Sequence, residues 1–256
     1  MTTSNSPTIK ITNPSIKSFS KVRKLPGEIR GNPDLEVNQT FLNRQAETES
    51  NARTYPRKLP FALKKAKGIF IQDVDGNIYY DCLSGAGAIA LGHNHPTLHQ
   101  AVSALMASDA PLLTLDITTP TKAAFVEELL KCLPSEFSKN AKIQFCGPSG
   151  SDAVEAAMKL VKIATGRSTM MSFRGGYHGM TSGALGLMGN LGSKTRIPGF
   201  TQNVQFLPYP SLFRAPIGNA LDEEGEASIH YIENLLHDDE SGVPKPAGII
   251  IEAVHG

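Results

Sequence analysis

The chain has 256 residues, enough for one large domain or two small ones with a buried core. Its 25 Lys and Arg balance 24 Asp and Glu at a net charge of +1, so nothing electrostatic calls for nucleic acid or an anionic membrane surface. No apolar run is long enough to span a bilayer, and the three widely spaced cysteines, without a C-x-x-C, indicate neither a disulfide framework nor a zinc site.

The elements can be taken in chain order. Lys10, Lys17, Lys21, Arg23 and Lys24 crowd the first 25 residues without an acid. This predicts a mobile basic tail over residues 1–35, with an organelle transit peptide as the alternative. Polar sequence from Glu36 to Ser50 predicts a short exposed helix. From Gly68 to Asp81 two strand-like runs flank Asp75-Gly76-Asn77, which predicts a hairpin. Pro96 opens a helix to about Ala107, with Leu98, Val102 and Leu105 on one face. A second helix is expected over Thr121–Cys132. Ile143–Cys146 is apolar and partly β-branched and predicts a buried strand, followed by a small-residue turn and a helix ending at Gly166-Arg167. Further strands are expected at Thr169–Phe173, Val204–Leu207 and Gly248–Val254, and a helix over Glu223–Leu236. Strands alternating with helices from about residue 93 predict an α/β fold with a mainly parallel sheet. Cys82, Cys132 and Cys146 have apolar neighbours, which predicts buried free thiols and fits a reducing cytoplasm.

Five stretches invite a chemical reading. In FCGPSGSDAVEAAMKLVKIATGR (residues 145–167) Ser149 or Ser151 can cap the helix, and Asp152 and Glu155 place acid in its first turns. Bare backbone at Gly150, where the first N–H groups of a helix lack partners, suits an anion; an ordinary capped helix is the alternative. Gly85-x-Gly87-x-x-Ala90, with Asp116 downstream, matches a dinucleotide fingerprint. The helix opens only near Pro96, however, too far on to receive a pyrophosphate. His93 and His95 have no further ligands at metal spacing and read as a polar turn, so no metal site is expected. Tyr177 and His178 lie in a glycine-rich loop after a strand, where an aromatic ring can stack on a flat ligand. Glu252 ends an apolar strand, at the edge where α/β folds gather ligands. A phosphate cradle, a ring and an acid at successive strand ends suit a flat, phosphorylated, ionisable cofactor.

These residues resemble the class III (ω-amino acid) aminotransferases, pyridoxal 5′-phosphate enzymes of the type I fold. LSGAGAIALGHNHP, FCGPSGSDAVEAAMKLVKIATGR, SFRGGYHG and GIIIEAVHG resemble that family's motifs in order over residues 40–256. RQAETESNARTYPRKLP, CGPSGSDAVEAA and YHGMTSGAL resemble its diaminobutyrate–2-oxoglutarate branch. The resemblance implies the N-terminal part of a small domain over 36–92 and a large cofactor domain over 93–256, its sheet incomplete at the C-terminus. It implies that Gly150 and Ser151 bind the cofactor phosphate with help from Ser149, that Tyr177 stacks on the pyridine ring beside His178, and that Glu252 joins the polar network. It further implies an amine donor and 2-oxoglutarate as substrates and a homodimer. Met180 stands where the γ-aminobutyrate enzymes carry a carboxylate-gripping arginine, which turns the expectation away from that substrate. The family's Schiff-base lysine and pyridine-nitrogen aspartate fall beyond Gly256. The chain is therefore expected to be an N-terminal fragment, inactive alone, with no catalytic residue of its own. The alternatives are another ω-amino acid aminotransferase, an inactive chain that binds a phosphorylated ligand, and a nicotinamide-dependent oxidoreductase.

Overall fold

The computed structural model describes residues 36–51, 59–198, 200, 203–211 and 225–255. The basic segment 1–35 and the stretch 52–58 lie outside the described residues. Two compact units divide the chain after Thr119.

In the first unit, α1 (Glu36–Thr48) is the exposed helix expected there, and the hairpin forms from β2 (Phe70–Asp73) and β3 (Ile78–Tyr80). Ile71 pairs with Tyr79 and Phe70 with Tyr80 across an antiparallel ladder. Gly76 takes φ 89° in the turn, a backbone region that favours glycine. A strand that the sequence reading missed, β1 (Leu63–Lys67), adds to the outer edge of β2. Its lysines disguise it: LKKAK lacks apolar alternation, and an edge strand bearing charge is how sheets avoid further pairing. Ile71, Ile78 and Tyr79 are buried, with Phe61 stacked on Tyr79 at 4.9 Å between centroids.

Polar groups tie α1 to this sheet. Asn38 is fully buried, and its Nδ2 donates to Asp73 Oδ2 at 3.1 Å and to Asp75 Oδ2 at 2.6 Å, while its Oδ1 accepts from the Ala62 N–H. Asp73, also fully buried, accepts in addition from the Asn77 N–H at 2.8 Å and the Tyr79 hydroxyl at 2.9 Å.

Residues 83–91 form turns, and α2 (Pro96–Ala107) starts where expected. Glycines 85 and 87 therefore stand well before the helix, and the strand ahead of them belongs to an antiparallel sheet. Neither half of a dinucleotide βαβ unit is present at that point. The histidine pair is structural: His93 Nε2 meets Asp81 Oδ2 at 2.7 Å, and His95 Nδ1 accepts from the Thr97 N–H at 3.3 Å as the cap of α2. No cluster of metal-ligating side chains occurs among the described residues.

The second unit begins with α3 (Pro120–Lys131) and the short α4 (Ser135–Ser138). It centres on the parallel sheet β5-β4-β6, formed by Val204–Leu207, Met170–Phe173 and Gly248–Ile250. Met171 pairs with Gln205 on one side and Ile249 on the other, in the parallel arrangement the alternation predicted. All four residues of the central strand are buried. On one face Met170, Leu187 and Ala247 pack with Met158, Val154 and Val161 of α5 (Gly150–Thr165). On the other, Met171, Phe173 and Leu207 pack with Tyr231, Ile232, Leu235 and Leu236 of α7 (Glu226–His237). The short α6 (Ser182–Gly186) follows the loop after β4. The unit is thus a three-layer α/β arrangement with its core on both sides of β4.

Three expectations need correction. Residues 143–146 form no strand, and Phe145 stands half exposed against Phe125 at 6.1 Å. A strand is made by its neighbours' hydrogen bonds, and no described strand pairs with this segment. β6 stops at Ile250 for the same reason, leaving Ile251 and Val254 exposed. All three cysteines are exposed rather than buried: Cys82 sits in a bend, Cys132 beyond the last turn of α3, and Cys146 in the unpaired segment. Among the described residues no helix is long and apolar enough to cross a membrane.

Candidate cofactor site

The site is assembled at the start of α5 and at the C-terminal ends of the parallel strands. Ser149, rather than Ser151, caps α5. Its Oγ accepts from the Asp152 N–H at 3.3 Å, and the Asp152 carboxylate accepts from the Ser149 N–H at 3.1 Å, a reciprocal capping box. The Ser149 hydroxyl also donates to Asp152 Oδ2 at 2.8 Å, so its proton is committed to the helix itself. Gly150 and Ser151, the next two residues, carry N–H groups with no intrahelical acceptor. Beyond the Gly150 α-carbon lies open space, with no atom within 4 Å of where a Cβ would stand. Bare donors, the positive end of a helix dipole and open space give this candidate cradle the chemistry that suits an anion.

The loop after β4 runs against that helix start. Gly179 takes φ 129°, and a Cβ there would collide with the Ser151 hydroxyl and lie 2.8 Å from the Ser151 Cβ. Tyr177 and His178 are therefore held close to the cradle by a contact that only glycine allows. The Tyr177 N–H donates to Glu252 Oε1 at 3.1 Å, bringing in the acid just beyond β6. The Tyr177 residue is half exposed, whereas His178 is buried.

Four contributors escaped the sequence reading. Ser172, fully buried in β4, donates its hydroxyl proton to the Leu187 carbonyl at 2.6 Å and lies 3.3 Å from His178 Nε2. That hydroxyl has one proton, so its lone pair faces the histidine. The geometry assigns the proton of neutral His178 to Nε2. Tyr209, two residues beyond β5, donates to the Glu252 carbonyl at 3.1 Å and its ring lies 4.3 Å from that of His255. The buried Nε2 of His255 makes no hydrogen bond among the described residues and lies 3.5 Å from Glu252 Oε2. Glu155 reaches from α5 to the start of α6. A serine inside the apolar run MMSF was a visible sign; the other three follow only from the tertiary arrangement.

Burial pushes the His178 imidazole below its ordinary 6.5; the Glu252 carboxylate pulls it upward and His255 adds to the lowering. The sign for stability follows from that direction. A depressed folded value means that the favourable contribution is complete above 6.5 and is lost as pH falls through the folded value, because the unfolded chain binds the proton first. Carbon-13 histidine titration of the full-length protein should give His178 a midpoint below 6.5; a midpoint at or above it contradicts the neutral, Nε2-protonated ring.

The sequence and the fold have counterparts among known proteins. The family model for class-III aminotransferases matches residues 51–256. Over 219 residues the chain is 50% identical to a diaminobutyrate–2-oxoglutarate aminotransferase of Rhizobium meliloti (strain 1021), covering 86% of this chain and 47% of that protein. Over 222 residues it is 53% identical to the enzyme of that name from Haemophilus influenzae, covering 87% and 48%. The chain spans about half the length of the curated relatives it matches. Among solved structures, a taurine:2-oxoglutarate aminotransferase from Bifidobacterium kashiwanohense, in complex with PLP and glutamate, superposes with a TM-score of 0.69 at 22% identity, over 86% of this chain and 48% of that one. An (S)-enantioselective omega-transaminase from Thermomicrobium roseum gives 0.69 at 19%, over 85% and 50%. At those identities the likeness concerns the fold. With the family model matching most of its length, the chain belongs to the class-III aminotransferases.

Proposed function

We propose that the whole protein is a pyridoxal-phosphate-dependent aminotransferase that moves the terminal amino group of L-2,4-diaminobutyrate to 2-oxoglutarate, giving aspartate semialdehyde and glutamate. One observation carries the cofactor assignment: two N–H groups at a helix start, without a partner among the described residues, open onto free space at Gly150, beside the loop that holds Tyr177 and His178. These residues fit the group. The Gly150 and Ser151 N–H groups would hold its phosphate, with Ser149 shaping the turn; the Tyr177 ring would lie on the pyridine; His178 would stand beside it; Glu252 would fix the loop through the Tyr177 N–H. When bound, pyridoxal phosphate supplies the electron sink that amino transfer requires. The choice of donor is supported by the two relatives of that name at 50% and 53% identity. Met180, half-buried two residues beyond His178, offers no charge to a substrate carboxylate.

In this reading residues 36–92 belong to a small domain and 93–256 to the cofactor domain. The Schiff-base lysine and the pyridine-nitrogen aspartate are assigned to the part of the family pattern that lies beyond the segment GIIIEAVHG. A cytoplasmic location is supported by the unpaired cysteines. A homodimer is supported by the family resemblance and by Leu112, Leu113, Leu115 and Ile117, whose side chains stand open.

The test is a full-length preparation saturated with pyridoxal phosphate, with glutamate formation followed for competing amines. Diaminobutyrate should exceed γ-aminobutyrate in kcat/KM by about a hundredfold, the scale of losing one charged substrate contact. Glutamate formed from γ-aminobutyrate at a comparable rate would overturn the donor assignment, and absence of bound cofactor would overturn the reading as a whole.

A further inference from the structure

We infer that Glu155 is a positioning residue that couples the anion cradle of α5 to the Tyr177–His178 loop, so that cofactor affinity depends on a carboxylate that does not touch the cofactor. This rests on the aminotransferase reading and extends it to a residue outside the assigned contacts.

Ser151 and Glu155 are four residues apart and share one face of α5. Each meets a glycine. A Cβ on Gly179 would collide with the Ser151 hydroxyl, and one on Gly183 would collide with Glu155 Oε2 and lie 2.9 Å from Glu155 Cδ. Two consecutive turns of the phosphate-side helix are thus pressed against the segment 179–184, at the two positions where that segment has no side chain.

Glu155 then closes the contact with three hydrogen bonds. Its Oε1 accepts from Thr181 Oγ1 at 2.7 Å, from the Gly183 N–H at 2.7 Å and from the Ala184 N–H at 3.1 Å. Thr181 is the N-cap residue of α6, yet its side chain makes no capping bond. Two backbone donors of the first turn of α6, the Gly183 and Ala184 N–H groups, are satisfied from another helix instead. Burial acts to raise the Glu155 carboxyl, but the Thr181, Ala184 and Gly183 donors, with Lys159, outweigh it and hold the group below its ordinary value. The bonds are therefore charge-assisted at neutral pH.

The loop bearing Tyr177 and His178 hangs between two anchors. One is the end of β4, locked in the sheet. The other is α6, whose Ala184, Leu185 and Gly186 are buried and whose following residue, Leu187, packs on Met158 and Met170 and accepts the Ser172 hydroxyl. Glu155 sets where α6 begins relative to α5, and so sets the far end of the loop relative to Gly150 and Ser151. Loss of the carboxylate leaves both halves of the site intact but no longer held in mutual register, which costs affinity through positional freedom.

The experiment uses the full-length protein and pyridoxal phosphate as the probe, read by the cofactor's induced circular dichroism, its dissociation constant and hydrogen exchange at residues 183 and 184. Glu155→Ala should raise the dissociation constant by about tenfold or more, reduce the dichroism per bound cofactor and speed exchange at both amides. Glu155→Gln keeps an acceptor oxygen for the same donors but loses the charge that strengthens the bonds, so it should weaken binding less than Glu155→Ala does. Thr181→Val, which removes one bond of three, should also weaken binding, and it carries the test if Glu155→Ala does not fold. Unchanged affinity and dichroism in Glu155→Ala, or in Thr181→Val as its substitute, overturns the inference, even if thermal stability falls. A wild-type protein that shows no induced band at all overturns the aminotransferase reading and this inference together.

Discussion

Gly150→Asp is expected to raise the dissociation constant for pyridoxal phosphate by about a hundredfold or more while leaving the thermal midpoint almost unchanged. The two halves of that expectation have different causes. A Cβ at Gly150 meets no atom within 4 Å, so the new side chain enters open space and strains nothing. An aspartate in the first turn is also favourable to the helix, because it faces the positive end of the dipole. The same position and charge are what a phosphate would occupy. The carboxylate therefore replaces the ligand it excludes, and a hundredfold corresponds to about 2.7 kcal/mol of lost binding. Isothermal titration of the full-length variant measures the first half and differential scanning the second. Tight binding retained by a well-folded Gly150→Asp protein would show that the phosphate lies elsewhere.

The second large effect concerns the other unit. Asn38→Ala is expected to destabilise it by about 3 kcal/mol, since burying unsatisfied polar groups costs about 1–3 kcal/mol each. The truncation strands the Ala62 N–H and removes a donor shared by Asp73 and Asp75, at a position with no solvent exposure. Asn38→Asp is the sharper control. It is isosteric, but it turns the donating end into a third carboxylate oxygen facing Asp73 and Asp75, so at neutral pH it should be at least as damaging. Its defect should ease in acid as carboxylates protonate. Urea unfolding followed at Tyr79 reads both, and a change below about 0.5 kcal/mol for each variant would remove Asn38 as the lock between α1 and the sheet.

Local chemistry made several elements legible. The Asp-Gly turn between two alternating runs announced β2 and β3, Pro96 marked the first residue of α2, and Ser149 with Gly166 bracketed α5. Each depends on neighbours within a few residues, which the linear pattern contains. Residues 143–146 look as strand-like as 204–207, yet only the second run forms a strand, because Val204–Leu207 finds β4 beside it. The cysteines failed as indicators for a related reason. An apolar neighbourhood along the chain says nothing about whether another layer packs over it, and at Cys82, Cys132 and Cys146 none does among the described residues.

The candidate site divides along the same line. Ser149, Gly150, Ser151, Tyr177, His178 and Glu252 were all nameable from short motifs, because a bare helix start, a ring among glycines and an acid at a strand end are local features. Their convergence was not. Tyr177 meets Glu252 across 75 positions of sequence, and Glu155 meets Thr181 across 26. By itself the sequence determined the family, many of the elements in their order, and the residue types that suit a phosphorylated ring. Only the tertiary structure decided that Ser149 is spent on its own helix, that Ser172 orients His178, and that Glu155 caps a helix other than its own. Propensities and capping act through bonds near in sequence, whereas long-range hydrogen bonds exist only once the sheet has brought their partners to one edge.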